Sequence, residues 1–274
     1  MTPDDIVDWL SADPASTGLF VDFDGTISPI VNEPEAAQPL AGVVETLHAL
    51  AAHLASVAVV SGRPARFLVD RLGLEGSSGR LLAYGLHGLE QASGAEVAVA
   101  EAAAPWLPAL RAAWDELVAS APAGLDLEDK GFGLTLHWRL SGSPEVAAQS
   151  RALAERVAEA HGLFVRPGRA SAELVPPVGI DKGSVVLAEA ERLAAAGAGV
   201  PRLSFIGDDV GDELAFEALG SLERAGRADV LRVAVGSSEI PERLVRLADV
   251  VVADPPEAAA VLKRTLGRLE ARGR

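Results

Sequence analysis

The chain has 274 residues, of which 49% are hydrophobic and 23% charged, so it is long enough for one large globular domain or two modest ones and is not of the disordered class. Its formal charge of −15 argues against nucleic acid or an anionic membrane as a partner, because both need a basic surface. It contains no cysteine, which excludes disulfides, thiolate metal sites and a cysteine nucleophile.

The N-terminal stretch is acidic and amphipathic, the reverse of the basic start and apolar centre of a signal peptide. No apolar run approaches the roughly 20 residues that a membrane-spanning helix needs. We therefore expect a cytoplasmic protein with no nucleic-acid or membrane partner. A monomer is favoured, although the sequence does not determine the oligomeric state.

The first third of the chain alternates apolar strands with helices, which is typical of a parallel sheet buried on both faces. The predicted elements are strands at Gly18–Asp22, Ala55–Val60 and Arg80–Tyr84, a helix at Pro39–His53 and another from Pro64.

The middle of the chain departs from this rhythm, because a helix followed by two strands occurs there twice. The predicted helices are Pro105–Ser120 and Pro144–His161, and the predicted strands are Leu125–Asp129, Phe132–Arg139, Leu163–Arg166 and Ala172–Val175. This pattern indicates an antiparallel α+β unit inserted in an α/β domain.

After Gly179 the alternation resumes with a helix that Asp181 can cap. The remaining predicted elements are a strand at 202–206, a helix near Gly211–Leu219, strands at Val230–Val235 and Asp249–Ala253, and a helix from Pro255. We predict an α/β core domain formed by residues 1–104 and 179–274, with a second domain at 105–178.

Two aspartates, Asp22 and Asp24, follow the first strand, and Gly25 then breaks it. Side chains alternate along a strand, so both carboxylates project to the same side at a strand end, where open α/β sheets place their chemistry. An inert Asp-Gly turn is the alternative. Two close carboxylates either share a proton or bind a cation.

A second acidic cluster, at 207–213, follows another apolar strand. A solvated helix start is its simplest explanation, but Mg²⁺ prefers a few carboxylates together with water and a phosphate oxygen. We expect a magnesium site where this cluster meets Asp22 and Asp24.

Three further residues suit an anion. Ser61 lies where a strand gives way to a helix, where backbone amides can hold a phosphate, although it could serve only as a cap. Lys182 lies in the first turn of a helix, an unfavourable place for a cation unless it neutralises an anion. His87, between Gly85 and Gly88, is a possible contact, although a lone histidine in such a turn is more often structural.

In order, Asp22-x-Asp24-Gly-Thr26, Ser61, Lys182 and Gly207-Asp208-Asp209 resemble the four loop motifs of the haloacid dehalogenase (HAD) superfamily of phosphatases. The resemblance implies a Rossmann-like HAD core with a parallel sheet and an inserted α+β cap of the C2 type. Closure of that cap would exclude water from the reaction.

Smaller matches resemble the trehalose-6-phosphate phosphatase family. They are Ser61-Gly-Arg63, Gly85-x-His87-Gly-x-Glu90, Glu128-x-Lys130, His137-x-Arg139, Gly168-Arg169 leading to Glu173-Leu-Val-Pro176, and the run from Gly207 to Glu213. Two positions depart from that family's usual pattern. Leu86 stands in place of Asn, and Gly211 stands in place of Thr.

The resemblance implies a Mg²⁺-dependent phosphatase that hydrolyses trehalose 6-phosphate, a small sugar phosphate, through an aspartyl-phosphate. It makes Asp22 the nucleophile and Asp24 the general acid and base. It also implies three groups of binding residues: Gly25, Thr26, Ser61 and Lys182 for phosphate; Asp22, Asp24, Asp208 and Asp209 for Mg²⁺, with Asp212 supporting or ligating; and Arg63, His87, Glu128, Lys130, Arg139, Arg169 and Glu173 for the sugar.

Other functions remain open at this stage. The same core would serve a phosphatase for sucrose phosphate or for a glycosyl-3-phosphoglycerate, and only the cap argues against these substrates. A phosphoryl-transferring mutase usually has a small helical cap. A regulator that only binds sugar phosphate has no need of a proton donor such as Asp24.

Overall fold

The structure is a computed structural model, whose described residues are 1–31, 33–168, 170–197, 199–237 and 240–272. The chain divides into two compact units. The core unit consists of Met1–Ala98 and Ile180–Arg274, and the inserted unit consists of Val99–Gly179. Their roles as catalytic core and cap stay predictions. None of the helices in the described ranges is long and apolar enough to cross a membrane.

The first segment of the core unit alternates strands and helices. Its elements are α1 (Pro3–Ala12), β1 (Thr17–Val21), α2 (Val43–His53), β2 (Ser56–Val60), α3 (Ala65–Arg71), β3 (Leu81–Gly85), β4 (Glu90–Ser93) and β5 (Glu96–Val99). Every residue of β1 and β2 is buried, as the continuous apolar runs predict for strands covered on both faces.

The inserted unit repeats a helix and two strands. Its elements are α4 (Leu107–Ser120), β6 (Asp126–Asp129), β7 (Leu134–His137), α5 (Pro144–His161), β8 (Phe164–Gly168) and β9 (Ser171–Val175). The four strands form an antiparallel sheet in the order β6-β7-β9-β8. Alternate residues such as Leu134, Leu136 and Leu174 join α4 and α5 in one hydrophobic core, which leaves the polar residues between them on the other face of the sheet.

The second segment of the core unit resumes the alternation. Its elements are α6 (Lys182–Ala195), β10 (Arg202–Gly207), α7 (Val210–Arg224), β11 (Asp229–Val235), α8 (Glu242–Leu247), β12 (Val250–Val252) and α9 (Pro255–Arg272). Asp181 caps α6 as predicted, since its carboxylate accepts the backbone N–H of Ser184 at 2.9 Å.

The sheet of the core unit has the strand order β12-β11-β10-β1-β2-β3-β4-β5. The strands from β12 to β3 are parallel, and β4 is antiparallel to β3. Hydrophobic cores cover both faces: Leu19 and Val21 of β1 belong to one core, and Phe20 between them belongs to the other. The predicted α/β class with a parallel sheet is confirmed.

Three local predictions were wrong or incomplete. The helix predicted from Pro39 begins at Val43, because Gly42 has a left-handed φ of 80° that no helix continues through. The β4–β5 hairpin was not predicted, since its strands are only four residues long and mostly exposed and so present no continuous apolar run. The six-residue helix α8 was also missed, because it is too short to show helical periodicity.

Candidate active site

The site lies where the chain changes direction across the sheet. From β1 the chain moves outward through β2 to β3, and it later returns to place β10 on the other side of β1. The carboxyl ends of β1 and β10 are therefore neighbours at a topological switch point, the usual ligand site of open α/β sheets. The backbone N–H of Asp22 still bonds the carbonyl of Ile206 at 2.9 Å, so the two loops diverge just beyond.

Three carboxylates meet at this switch point. Asp22 follows β1, Asp208 follows β10, and Asp212 lies in the first turn of α7; all three are buried. Each offers an oxygen, and these oxygens all lie within 4.8 Å of one another. Asp212 is fixed because its Oδ2 accepts the backbone N–H groups of both Asp208 and Asp209 at 2.9 Å. The cluster is thus built by the loop between β10 and α7 folding back onto itself.

Lys182 is the cation of this cluster. It begins α6, its side chain is only 4% exposed, and its Nζ donates to Oδ1 of Asp22 at 2.6 Å and to Oδ1 of Asp212 at 2.7 Å. One ammonium therefore faces three carboxylates. When all are ionised, this buried group carries a net negative charge of two, which is unfavourable without a further cation.

The titration behaviour of the cluster follows from this imbalance. Burial raises the pKa of Asp22, Lys182 lowers it, and Asp212 and Asp208 raise it again, so that it lies well above the usual range. Burial disfavours the charged form of Lys182, but the carboxylates of Asp212 and Asp22 outweigh that effect and raise its pKa. Lys182 thus stays protonated, and a cation among the carboxylates would favour an ionised Asp22.

Gly25 makes room for Asp208. A Cβ at this position would lie 2.1 Å from Oδ2 of Asp208, and the residue has a left-handed φ of 75°. The next residue, Thr26, donates its hydroxyl to Oδ1 of Asp208 at 3.3 Å. The Gly-Thr pair of the first loop therefore positions the aspartate of the last loop.

Asp24 is bound by a guanidinium group. Its two carboxylate oxygens accept Nε of Arg63 at 2.7 Å and Nη2 of Arg63 at 2.8 Å, a bidentate pair. The guanidinium carbon of Arg63 also lies 4.9 Å from the ring centroid of Phe67. Arg63 was predicted to contact the sugar, and here it holds the predicted general acid.

Ser61 and His87 lie on adjoining loops, after β2 and β3. The backbone N–H of Ser61 donates to the carbonyl of Tyr84 at 2.9 Å, and the N–H of His87 donates to the carbonyl of Ser61 at 2.8 Å. His87 has a left-handed φ of 61°, and its Nε2 lies 2.8 Å from where a Cβ of Gly62 would be. The imidazole is therefore fitted against a glycine, in a backbone conformation that only its surroundings maintain.

Asp209, a predicted metal ligand, lies outside the three-carboxylate cluster. Its carboxylate caps α7, where Oδ1 accepts the backbone N–H of Val210 at 2.7 Å. Asp212, to which the sequence assigned a supporting or ligating role, lies inside the cluster instead. The spacing of a capping box, with acids at the N-cap and three residues later, is the signal that separates their roles.

The predicted sugar-binding residues of the inserted unit lie on the polar face of its sheet. Strand register places four side chains in one row across the strands: Glu128, Thr135, Glu173 and Arg166. Glu173 is only 7% exposed; its Oε1 accepts Nζ of Lys130 at 3.2 Å, and its Oε2 accepts Nη1 of Arg166 at 3.2 Å. Glu128 bonds Nε2 of His137 at 2.9 Å. Sequence reasoning missed Arg166, whose role follows only from strand register.

The two other predicted residues of this group are placed differently. Arg139 lies in a short 3₁₀ helix, Arg139–Ser141, directly after β7, and is exposed. Arg169 lies outside the described residues. Of the predicted residues, the row thus contains Glu128 and Glu173, and the ammonium of Lys130, in the turn after β6, lies 3.8 Å from the first carboxylate and 3.2 Å from the second.

A sequence model of trehalose-phosphatases matches residues 20–247, most of the core unit and the whole inserted unit. The chain belongs to the trehalose-phosphatase family. Trehalose-phosphate phosphatases of Mycobacterium marinum and Mycobacterium tuberculosis are 38% and 37% identical to it over 209 residues. These matches cover 74% of this chain and 51% of each relative. The chain thus spans about half the length of these curated relatives.

A third trehalose-phosphate phosphatase, from Mycobacterium avium, is 33% identical over 257 residues, which cover 92% of this chain and 62% of that protein. The resemblance to this family predicted from the loop motifs is confirmed.

Solved structures of this family show the same fold. The C-terminal domain of a trehalose-6-phosphate phosphatase from C. albicans superposes with a TM-score of 0.79 at 21% identity, covering 97% of this chain and 98% of that one. A trehalose-6-phosphate phosphatase related protein gives a TM-score of 0.74 at 23% identity, covering 94% and 100%. A haloacid dehalogenase-like hydrolase from Bacteroides thetaiotaomicron gives 0.57 at 18%, covering 90% and 99%. The predicted HAD fold is confirmed.

HAD phosphatases generally use a divalent metal. The carboxylate oxygens of Asp22, Asp208 and Asp212 fit such an ion. Three buried carboxylates supply hard oxygen ligands, which suit Mg²⁺, Mn²⁺ or Ca²⁺ and not a soft metal. Lys182 contributes one positive charge against the three carboxylates, and Gly25 keeps the space beside Asp208 free of a Cβ. The residues present therefore fit a divalent cation.

Proposed function

We propose that the protein is a phosphatase that hydrolyses trehalose 6-phosphate to trehalose and phosphate, with Asp22 as nucleophile. The observation that carries this proposal is the junction of Asp22, Asp208, Asp212 and Lys182 at the switch point of a trehalose-phosphatase fold. A carboxylate nucleophile beside a buried ammonium suits covalent phosphoryl transfer, because the carboxylate can attack phosphorus and the ammonium can stabilise the phosphoryl oxygens.

In the first step, a carboxylate oxygen of Asp22 attacks phosphorus, and the bond between phosphorus and the sugar oxygen breaks. Asp24 donates a proton to the departing sugar oxygen. Because both oxygens of Asp24 accept N–H groups of Arg63, we infer that this pair separates before the carboxyl group can reach the substrate. The products of this step are trehalose and an aspartyl-phosphate on Asp22.

In the second step, Asp24 takes a proton from water, whose oxygen attacks the phosphorus of the aspartyl-phosphate. The bond between Asp22 and phosphorus breaks, phosphate leaves, and both carboxyl groups return to their starting protonation states. Lys182 stabilises the phosphoryl oxygens as negative charge shifts onto them, and the hydroxyl and backbone amides near Ser61 are proposed to bind the same oxygens.

We propose Mg²⁺ as the cation, held by Asp22, Asp208 and Asp212 with the backbone carbonyl of Asp24. Oxygen ligands that leave room for water and a phosphate oxygen are those that Mg²⁺ prefers. When bound, the ion reduces the repulsion between a carboxylate nucleophile and a phosphate dianion. The carboxylate of Asp209 caps α7 and lies outside the three-carboxylate cluster. Its role as a direct metal ligand therefore stays a prediction.

We propose that the polar sheet face of the inserted unit binds the hydroxyl groups of the sugar. Glu128, Lys130 and Glu173 are buried or half-buried and already bonded to neighbours, so their orientations are fixed before a ligand arrives. Buried polar groups of this kind discriminate strongly between sugars, because a wrong hydroxyl leaves one of them unpaired. Arg139, Arg169 and His87 stay predicted sugar contacts.

The experiment is to measure phosphate release by the purified chain with and without Mg²⁺. The substrates are trehalose 6-phosphate, sucrose 6-phosphate, glucosyl-3-phosphoglycerate and p-nitrophenyl phosphate. We expect Mg²⁺-dependent release, with kcat/KM highest for trehalose 6-phosphate. Faster turnover of another sugar phosphate would overturn the proposed substrate, and interconversion of isomers without phosphate release would indicate a mutase. Binding of the sugar phosphate without any turnover would indicate a regulator.

A further inference from the structure

A buried carboxylate that the proposed reaction does not use lies between α6 and the sheet. Glu189 is only 4% exposed, and α6 and β2 contribute the buried apolar residues Val186, Ala190 and Ala58 to one hydrophobic core. A leucine would fill such an interface more favourably, because a buried carboxylate loses its hydration. The position therefore calls for an explanation other than packing.

Three side chains donate to this carboxylate. The hydroxyl of Tyr84 donates to Oε1 at 3.0 Å, the hydroxyl of Ser56 donates to Oε2 at 3.1 Å, and Arg192 donates Nε and Nη2 to Oε2 at 2.9 and 2.8 Å. Burial and the charge of Glu189 raise the pKa of Tyr84, so the phenol remains a donor. Because the donors come from β2, β3 and α6 itself, the carboxylate joins the helix to two strands.

Glu189 and Tyr84 are each connected to a residue of the candidate active site. Glu189 is seven positions after Lys182 on α6, so both side chains project from the same face of the helix, and both are buried. The backbone carbonyl of Tyr84 accepts the N–H of Ser61 at 2.9 Å. Tyr84 thus holds Ser61 through its backbone and the helix of Lys182 through its hydroxyl.

We propose that the hydrogen bond between Tyr84 and Glu189 is a positioning device that sets Lys182 against Ser61 and Asp22. The inference rests on the proposed function, because it assigns these two residues an effect on phosphoryl transfer. The bond fixes how far α6 is advanced along β2 and β3. Small errors in that register move Nζ of Lys182 away from Asp22, and a displacement of about 1 Å in a reacting group can lower a rate roughly a hundredfold.

The test is the variant Tyr84→Phe, which removes the hydroxyl and keeps the ring. Its matched control is Thr265→Val on α9, which also removes a buried hydroxyl, the one that donates to the carbonyl of Val261 at 3.0 Å. For both we would measure kcat and KM with p-nitrophenyl phosphate, the Kd of orthophosphate in Mg²⁺, and the thermal midpoint. All assays run well below that midpoint.

We expect Tyr84→Phe to lower kcat roughly tenfold and to weaken orthophosphate binding, because Lys182 is misplaced. Thr265→Val should lower the thermal midpoint by a similar amount and leave kcat and the Kd unchanged. Glu189→Gln, which keeps an oxygen for Tyr84, should retain more activity than Glu189→Leu. Unchanged kcat and Kd in Tyr84→Phe would make the bond purely structural and overturn the inference.

The outcome also separates this inference from the proposed function. A wild-type chain that releases no phosphate from any substrate counts against the proposed function. The orthophosphate Kd of Tyr84→Phe still decides the positioning role in that case. An active wild-type chain whose Tyr84→Phe variant matches it in both measurements counts against the positioning role alone.

Discussion

The core unit and the inserted unit both bury charged side chains, but they balance the charge differently. At the end of β1, the ammonium of Lys182 bonds two members, Asp22 and Asp212, of a cluster of three carboxylates. On the polar sheet face of the inserted unit, each carboxylate has basic neighbours: Glu173 pairs with Lys130 and Arg166, and Glu128 lies 3.8 Å from Nζ of Lys130.

This difference separates two kinds of site. A buried cluster with excess negative charge gains stability from an added cation, so its ligand must bring one or bind beside one. On the sheet face of the inserted unit, Lys130 and Arg166 balance the charges of Glu128 and Glu173, and fixed donors and acceptors of this kind suit a neutral polar ligand such as a sugar. The predictions below test whether the two regions are separable in this way.

The largest expected effect is that of Asp22→Asn. The amide cannot act as the nucleophile, so phosphate release from every substrate should fall by at least about 10⁴-fold. Circular dichroism should show the fold unchanged, because the substitution keeps the size of a buried side chain and lowers the negative charge of its cluster. Retained turnover would mean that the reacting group lies elsewhere.

The second prediction compares two glycines with left-handed φ. Gly25→Ala places a methyl group 2.1 Å from a carboxylate oxygen of Asp208, whereas Gly42→Ala meets nothing within 4 Å. Gly42→Ala should lose about 1 kcal/mol of unfolding free energy from backbone strain, and Gly25→Ala should lose more because its methyl group also overlaps Asp208. Only Gly25→Ala should also lose activity, roughly a hundredfold. Similar activity in the two variants would show that the position of Asp208 is unimportant for the reaction.

The third prediction concerns the cation. Mg²⁺ at a hundred times its Kd should stabilise the chain by about 2.7 kcal/mol, measured by thermal or denaturant unfolding. Hydrogen exchange should slow at 22–26 and 208–212 and stay unchanged in β6 to β9. Asp208→Asn and Asp212→Asn should reduce this stabilisation. A larger loss of Mg²⁺ stabilisation in Asp209→Asn than in Asp212→Asn would make Asp209 the ligand. Equal slowing of hydrogen exchange in the two units would contradict the proposed difference between their sites.

The smallest expected effect is confined to one substrate class. Glu173→Gln should raise KM for the sugar phosphate about tenfold and leave kcat/KM for p-nitrophenyl phosphate unchanged, because only the sugar is recognised there. Glu116→Gln, at a half-buried residue of α4 that is paired with Arg156, is the matched control and should change neither value. An equal loss with both substrates would assign Glu173 to the fold instead of to recognition.

Most of the core unit could be predicted because each step depends on local pattern. Continuous apolar runs predict buried parallel strands, and parallel strands bring their carboxyl ends to one edge, so Asp22 and Asp208 were expected to meet. The sequence could not decide which of Asp209 and Asp212 is the better metal ligand, because both are acids in the same turn. In the folded structure, Asp209 caps α7, whereas Asp212 lies in the carboxylate cluster.

Contacts between distant residues were the hardest to foresee. The pair formed by Arg63 and Asp24 joins positions 39 residues apart, and nothing in either local pattern predicts it. Arg166 escaped attention for a similar reason, since it reaches Glu173 only through the register of β8 and β9. The hairpin β4–β5 was missed because its short, mostly exposed strands carry no continuous apolar run.

The neighbouring strands β1 and β10 are far apart in the chain: Val21 lies beside Ile206. During synthesis β1 emerges before β10, and the entire inserted unit is made between them, so this pairing closes a very long loop and is expected to form slowly. Until then, β1 exposes an apolar edge that can join another chain. A ribosome that stops before β10 should therefore yield an aggregating product, not a partly active one.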